Sequence, residues 1–547
     1  MKRLIGTIFY ALCLLYIMAN PPGALGQYNG DNNKIGVHLI SPTDEEIAEA
    51  CRSLANANGG SGGKLTLTLV KGIDTGTLQR FHDIARNEQC MFIHPIKNSF
   101  DDPYWKPLDE STINYFVDLF KNIRPSTKYL YVVLGNEVNR GDEWGGECDP
   151  AGYAHIARSA AEKLKLNVPN IQIGLAGLDA YAPNGGFYCS RDYFLREVVK
   201  AEPSLINDYI DFQVVHEYPD ADMTGSLRSL WKSEKAVLAD LGVKKDLPVV
   251  ISEIGWRRHR GLTDIVAAQR LYHAVERLNA EPQIWAITPF VYKYCGQPFD
   301  DFSLVNCDNN MPTTGFNFLA DLPKVKGDPE HIYQAKVQTS LLNELIENTD
   351  YEFEIQVANQ GTDIWRGING DYSLKLFGPD VHSSFTSFYR VRPDGILRTT
   401  LRINPGILQG CPEFKAALLK GGRVVHELFT MQPCIVPQPT ATMNISTFPG
   451  KKYDGVGELQ VFNTLEEIIF RKQVPVTHGI ADIGPITGVR FEDEYRIVWL
   501  SPGSLPVQIV EARFHKGNNE FTPPLLLPLD SDKDGALSLS DIIAGFR

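Results

Sequence analysis

Two glutamates in this chain stand where an acidic side chain is expensive. Glu137 closes the apolar run Tyr129-Leu-Tyr-Val-Val-Leu-Gly-Asn136-Glu137, and Glu253 sits in a second such run, Leu247 to Trp256. A carboxylate that directly follows a buried strand costs free energy unless it faces a polar cleft. A third apolar run ends His216-Glu217-Tyr218. Two carboxyl groups sharing one cleft can divide acid–base work, because mutual repulsion keeps a proton on one while the other stays ionised. Asn136, His216 and Tyr218 are their polar neighbours at the ends of these runs.

These residues need elements to hold them together. Eight apolar runs, at 35–40, 64–70, 91–96, 129–137, 171–178, 211–218, 247–256 and 284–292, alternate with stretches of helical period. That alternation predicts repeated βα units and a parallel sheet, and eight such units suit an α/β fold of the (β/α)8 TIM barrel type. Helix starts are written at Thr43 with Glu46, at Asp74, and at Asp149 before Pro150. An open doubly wound sheet would need a glycine-rich turn after its first strand, and Ser41-Pro42-Thr43 stands there instead. The run Gly59-Gly60-Ser61-Gly62-Gly63 has the spacing of a serine-hydrolase elbow, but it follows a helical stretch and precedes a strand, the reverse of that motif's context. In a barrel, chemistry collects at the carboxyl ends of the strands, where Glu137 and Glu253 face each other from strands four and seven.

An Asn-Glu closing strand four, a Glu closing strand seven and a His-x-Tyr on strand six resemble the retaining glycoside hydrolases of clan A, with a family-5-like barrel, over about residues 35 to 310. The resemblance implies that Glu137 is the general acid/base, Glu253 the nucleophile and Asn136 a contact for the sugar 2-hydroxyl, with His216 and Tyr218 tuning the carboxylates. It departs from the clan's pattern at Val138, where proline is common, and no arginine closes strand two. The chemistry agrees: cleaving a glycosidic bond needs one acid to protonate the leaving oxygen and one carboxylate to meet the oxocarbenium-like centre. Sugar recognition also needs flat apolar faces. The loops after strands three, four and seven offer Tyr104, Trp105, Trp144 and Trp256, with His94 on strand three and Tyr292 near the end of strand eight. No cofactor is expected for catalysis, and the expected partner is a carbohydrate substrate. The alternative from another class is a catalytically silent barrel that binds glycan or a surface partner.

The remaining chain narrows the setting. With 53 basic against 66 acidic side chains and a net charge of −13, it offers no electrostatic grip on nucleic acid. Lys2 and Arg3 precede an apolar run and a stretch ending Ala24-Leu25-Gly26, the form of a signal peptide over 1–26, which predicts export, with no membrane anchor after cleavage and an extracellular or cell-surface location. Cleavage removes Cys13 and leaves eight cysteines, expected to pair as 51/90, 148/189, 295/307 and 411/434. The catalytic barrel is expected over 27–344. Two smaller all-β sandwich-like domains follow: an immunoglobulin-like one over 345–435, where Tyr351 to Val357 alternates with period two, then a linker at 436–440 and a second module over 441–526. The tail at 527–547 resembles one calcium loop of a dockerin. Asp530, Asp532, Asp534, the Ala536 carbonyl and Asp541 stand at calcium-loop spacing. Bound Ca2+ and a cell-surface or cohesin-like partner are what that resemblance implies.

Overall fold

The structure is a computed structural model that describes residues 32–258, 262–327, 330–368, 370–379, 388–530 and 536–538. The expected leader at 1–26 lies outside the described residues, as do Asp532, Asp534 and Asp541. The chain divides into two compact units between Ile332 and Tyr333.

The first unit is mixed α/β. Strands β1 (Gly36–Leu39), β2 (Gly63–Leu67), β3 (Cys90–Lys97), β4 (Leu130–Leu134) and β5 (Ile171–Leu175) pair in parallel, each with the next. Strands β6 (Gln213–His216), β7 (Val249–Glu253) and β8 (Ile284–Ile287) do the same. Two isolated parallel bridges, Gly174 with Phe212 and Ile35 with Ile287, join the outer strands of the two sets, so the pairing order returns to β1.

Helices lie between the strands: α1 (Asp44–Glu49), α2 (Thr75–Asn87), α3 (Glu110–Lys121), α4 (Pro150–Asn167), α5 (Arg191–Ala201), α6 (Leu230–Asp240) and α7 (Asp264–Asn279), and α8 (Thr314–Asp321) follows β8. Their starts follow local chemistry. Thr43 and Glu46 form a capping box, and Asp74, Asp109 and Asp149 each accept an N–H from the first turn at 2.7–2.9 Å.

The period of two splits the strand residues into two cores. Met91, Ile93, Tyr131, Val133, Phe212, Val214, Val250 and Trp285 form an inner cluster, while Phe92, Val132, Ile173, Val215 and Ile251 pack toward the helices. At the amino-terminal end of β2, buried Lys64 donates to Asn32 Oδ1, Asn33 O and Gly62 O at 2.5–3.0 Å, with its ammonium 5.0 Å from the Trp285 ring centroid.

The second unit is made of mostly antiparallel sheets, with parallel pairs between Glu344–Ile346 and Cys434–Val436 and between Thr440–Asn444 and Asn518–Phe521, and has two clusters of buried side chains, one from Leu345 to Met431 and one from Ala441 to Leu526. In Tyr351–Asn359, Tyr351, Phe353, Ile355 and Val357 are buried while Glu352 and Glu354 are exposed. That strand pairs with Ala335–Thr339, so the unit begins ahead of the expected boundary at 344/345.

Among the described residues three disulfides form, Cys148–Cys189, Cys295–Cys307 and Cys411–Cys434. The fourth expected pair is a correction: Cys51, just after α1, and Cys90, at the start of β3, are buried free thiols in hydrogen-bond contact. They sit side by side in the strand–helix core, where burial pushes the Cys51 thiol well up.

Candidate active site

Glu137 does not end its strand. β4 stops at Leu134, because Gly135 takes φ +102° and Glu137 φ +45°. A non-glycine residue in this left-handed region is uncommon and is held by its surroundings. Here the Glu137 N–H donates to the Gly177 carbonyl at 2.8 Å, and its own carbonyl accepts from the Arg140 N–H at 2.9 Å. Gly177, just past β5, does a second job. A Cβ on it would lie 2.4 Å from His216 Nε2, so only glycine leaves room for the imidazole.

His216 ends β6 and is buried. Its Nδ1 lies 3.0 Å from Glu137 Oε1 and 3.7 Å from Glu253 Oε2. One ligand atom from each of these three residues lies within 4.8 Å of the others. Tyr218 donates its hydroxyl to Glu253 Oε2 at 2.8 Å. His38 of β1 completes the ring around Glu253, with Nδ1 at 3.2 Å from the Ser252 carbonyl and 3.7 Å from Glu253 Oε1. Arg140 donates to Glu137 Oε2 at 3.2 Å and is itself held by Asp142 at 2.7 Å and by Asp179 at 3.6 Å.

Burial and charge divide the protons unevenly. Burial raises Glu253 to about 7, with Glu137 repulsion adding and the His216 charge opposing. Burial works against a charged His216, yet the carboxylates of Glu253, Glu137 and Asp179 outweigh it and hold the ring up to about 9. For Glu137 burial raises the carboxyl, but the hydrogen bond and charge of His216, with Arg140 and Lys97, pull it below its ordinary value. Burial takes His38 down to about 3, so it stays neutral. Near pH 7, His216 is therefore an imidazolium beside an ionised Glu137, and Glu253 is at its midpoint. Glu137, His216 and Glu253 are also close enough to surround a metal ion, but an imidazolium nitrogen has no lone pair to give one.

The flanking residues sort by burial. Trp105, on a short hairpin after β3, is half-buried with Lys97 Nζ 3.7 Å from its ring centroid, and Lys97 pairs with Glu143. Asn136 lines a small cavity with Lys97, Asn98, Lys106 and Glu143. Two expected sugar contacts, His94 and Tyr292, are corrected, and two more, Trp144 and Trp256, are buried. His94 shares the helix-facing side of β3 with Phe92, bonding the Leu67 carbonyl at 3.0 Å and His82 of α2 at 3.3 Å. Trp144 is buried edge-on against Tyr153, Trp256 is buried with Nε1 donating to the Gly225 carbonyl at 2.8 Å, and Tyr292 is buried against Phe316. His94 and Tyr292 are packed into the core, whereas Trp144 and Trp256, though buried, each line a small cavity, Trp144 the same one as Asn136. Glu217, between His216 and Tyr218, points the other way and caps α6, accepting from the Leu230 and Trp231 N–H groups at 2.5 and 3.0 Å. Of the expected calcium ligands, only Asp530 and Ala536 fall among the described residues, the first buried and the second exposed.

His38, Arg140 and Gly177 join the site beyond the residues expected from the sequence. A histidine inside the apolar run Val37-His38-Leu39 was the signal for the first. Arg140 and Gly177 carried none, since their roles depend on contacts across the fold.

No family model matches the chain, and no curated protein matches it. Among solved structures, it is similar to a GH128 (subgroup II) endo-β-1,3-glucanase from Pseudomonas viridiflava, 17% identical over 54% of this chain and 99% of that one, with a TM-score of 0.37. A β-mannanase from Thermomonospora fusca is 14% identical over 52% and 87%, with a TM-score of 0.36. A β-glucuronidase from Parabacteroides merdae is 12% identical over 87% of this chain and 60% of that one, with a TM-score of 0.35. Likenesses this distant assign nothing to the chain, and its chemistry is read from the geometry of Glu137, His216 and Glu253.

Proposed function

We propose that this protein is a secreted glycosidase that cleaves O-glycosidic bonds of an oligo- or polysaccharide by retaining double displacement on a (β/α)8 barrel, with two β-sandwich appendages. The observation that carries the reading is the meeting of Glu137 and Glu253 around one imidazole, with one oxygen of each no more than 4.8 Å apart. Direct attack on the sugar uses carboxyl groups about 5–5.5 Å apart, whereas an inverting site leaves about 6.5–9.5 Å for a water. The closed pairing order of the eight strands supports the barrel.

In this reading Glu253 attacks the anomeric carbon and Glu137 protonates the leaving oxygen. Glu137 is ionised in the free protein, so its proton has to come from a neighbour. His216 holds one 3.0 Å from Glu137 Oε1. When Glu253 becomes an ester it loses its charge, His216 loses a counter-ion, and the proton moves through Glu137 to the departing oxygen. In the second half, Glu137 takes a proton from water, and His216 recovers it as Glu253 regains its charge. Tyr218 and His38 hold Glu253 in line for attack.

The proton order of the free site also favours a second reading, in which Glu253 is the acid and Glu137 the nucleophile. Aryl glycosides with good and poor leaving groups separate the two. The variant that still turns over activated substrates, while losing those with poor leaving groups, marks the acid. We expect Glu137→Ala to behave so, and Glu253→Ala to be inactive until azide or formate is added. A wild-type protein inert on every glycoside and polysaccharide tried would leave the silent-barrel reading. We also propose that the tail binds one calcium ion through Asp530, Asp532, Asp534, Ala536 and Asp541. Calorimetry on the full chain, with Asp530→Ala and Asp534→Ala, checks it, and equal heats in all three would refute it.

A further inference from the structure

Several cations around the candidate site come with oxygen partners. Lys97 has Glu143, Arg140 has Glu137, Asp142 and Asp179, Arg258 has Asp264, and Arg270 donates to the Thr224 and Gly225 carbonyls. Arg257 has no such partner among the described residues. Four residues beyond Glu253, it is half-buried and no described carboxylate is within ion-pair reach, although acidic side chains outnumber basic ones by 66 to 53. Its Nε is buried with no hydrogen-bond partner. A buried donor left unmade costs free energy, so its place calls for a group that the described residues do not supply.

The position of Arg257 says what that group belongs to. Its backbone N–H is pinned to the Met223 carbonyl at 3.1 Å, and its guanidinium lies 5.5 Å from the ring centroid of Phe302. Phe302 packs edge-on against Tyr218 at 6.0 Å, and Tyr218 donates to Glu253. The arginine charge is near enough to act on the Tyr218 hydroxyl. An arginine fork laid on an aromatic ring, with donors to spare, suits planar or tetrahedral oxyanions, which it takes by paired hydrogen bonds.

We infer that Arg257 is a specificity-determining residue, and that the sugar bound beside Glu253 carries an anionic substituent, a carboxylate or a sulfate ester, held by this guanidinium. The inference rests on the glycosidase reading for the place of the sugar and extends it to the substrate class.

The test uses the full-length protein and polysaccharides in three arms: neutral (a β-glucan and a β-mannan), uronate-bearing (polyglucuronate and polymannuronate) and sulfated (carrageenan and chondroitin sulfate). New reducing ends report cleavage by the wild type, and calorimetry on Glu253→Ala with fragments of the same polymers reports binding. One anionic arm should be cut and bound in preference to the neutral one. Adding Arg257→Gln should weaken binding in that arm at least tenfold and change neutral binding less than twofold, and Arg257→Lys should recover part of the loss. Which arm responds tells carboxylate from sulfate. Thermal melting checks folding, and if Arg257→Gln melts early, the Lys variant and the salt dependence of anionic binding decide instead. Cleavage confined to neutral glycans, or anionic binding indifferent to Arg257 and to salt, overturns the inference and leaves the glycosidase reading intact. Anionic binding through Arg257 with no cleavage in any arm sinks the glycosidase reading and keeps the inference. No cleavage and no binding removes both.

Discussion

His216 stays protonated up to about pH 9 because Glu137 and Glu253 both face its Nδ1, and Glu253 ionises only near 7. Turnover by the proposed route needs an ionised Glu253 and a protonated His216, so kcat/KM should rise through about pH 7 and fall through about pH 9. His216→Asn removes the charge that lowers Glu253. Its acid limb should move to higher pH and its alkaline limb should vanish, and an unmoved acid limb would contradict the charge coupling. Stability follows the same ring. Its folded pKa, about 9, lies above the ordinary 6.5, so what it adds to stability is complete below about pH 6.5 and lost as pH rises through about 9. Urea midpoints across that window, compared between wild type and His216→Asn, measure it.

At the level of the elements, the turn after β4 and the end of β5 act as one piece through Gly177, which accepts the Glu137 N–H and clears the His216 ring. Gly177→Ala should push the imidazole away from Glu137 and lower kcat on the order of a hundredfold, comparable to losing a positioned acid–base group. Glu217→Ala should do the opposite. It uncaps α6 and should cost about 1–2 kcal/mol in a denaturant titration, with activity per folded molecule kept. The strands, their order and several helix caps were legible because buried parallel strands are written as apolar runs and caps as Thr or Asp at fixed offsets. Glu137, Glu253, His216 and Tyr218 were legible as polar residues directly following such runs. His94 was misread because its period-two partners, Phe92 and Ile96, face the helices. Sequence places Trp144, Trp256 and Tyr292 near the strand ends without saying how deeply each ring is packed. His38 meets Ser252 across 214 residues, a contact no local pattern records.

Across the whole molecule, three disulfides and one thiol pair make a testable pattern. Alkylation under non-reducing conditions should label Cys51 and Cys90 only after unfolding, and peptide mass spectrometry should recover 148/189, 295/307 and 411/434 as bonded pairs. A 51/90 disulfide in the same digest would contradict the structure. The filled interior of the first unit has a further consequence for the proposed reaction. Met91, Ile93, Tyr131, Val133, Phe212, Val214 and Trp285 occupy the space among the strands, and Lys64 binds three oxygens at their amino-terminal end, so nothing reaches Glu253 from below. The water that ends each cycle must enter by the opening the leaving group has just vacated, in competition with any hydroxyl waiting there. Supplying methanol or a free sugar should therefore divert part of the glycosyl-enzyme into transfer products, in proportion to how well the acceptor fits that opening, so that the identity of the bystander decides whether a bond is lost or exchanged.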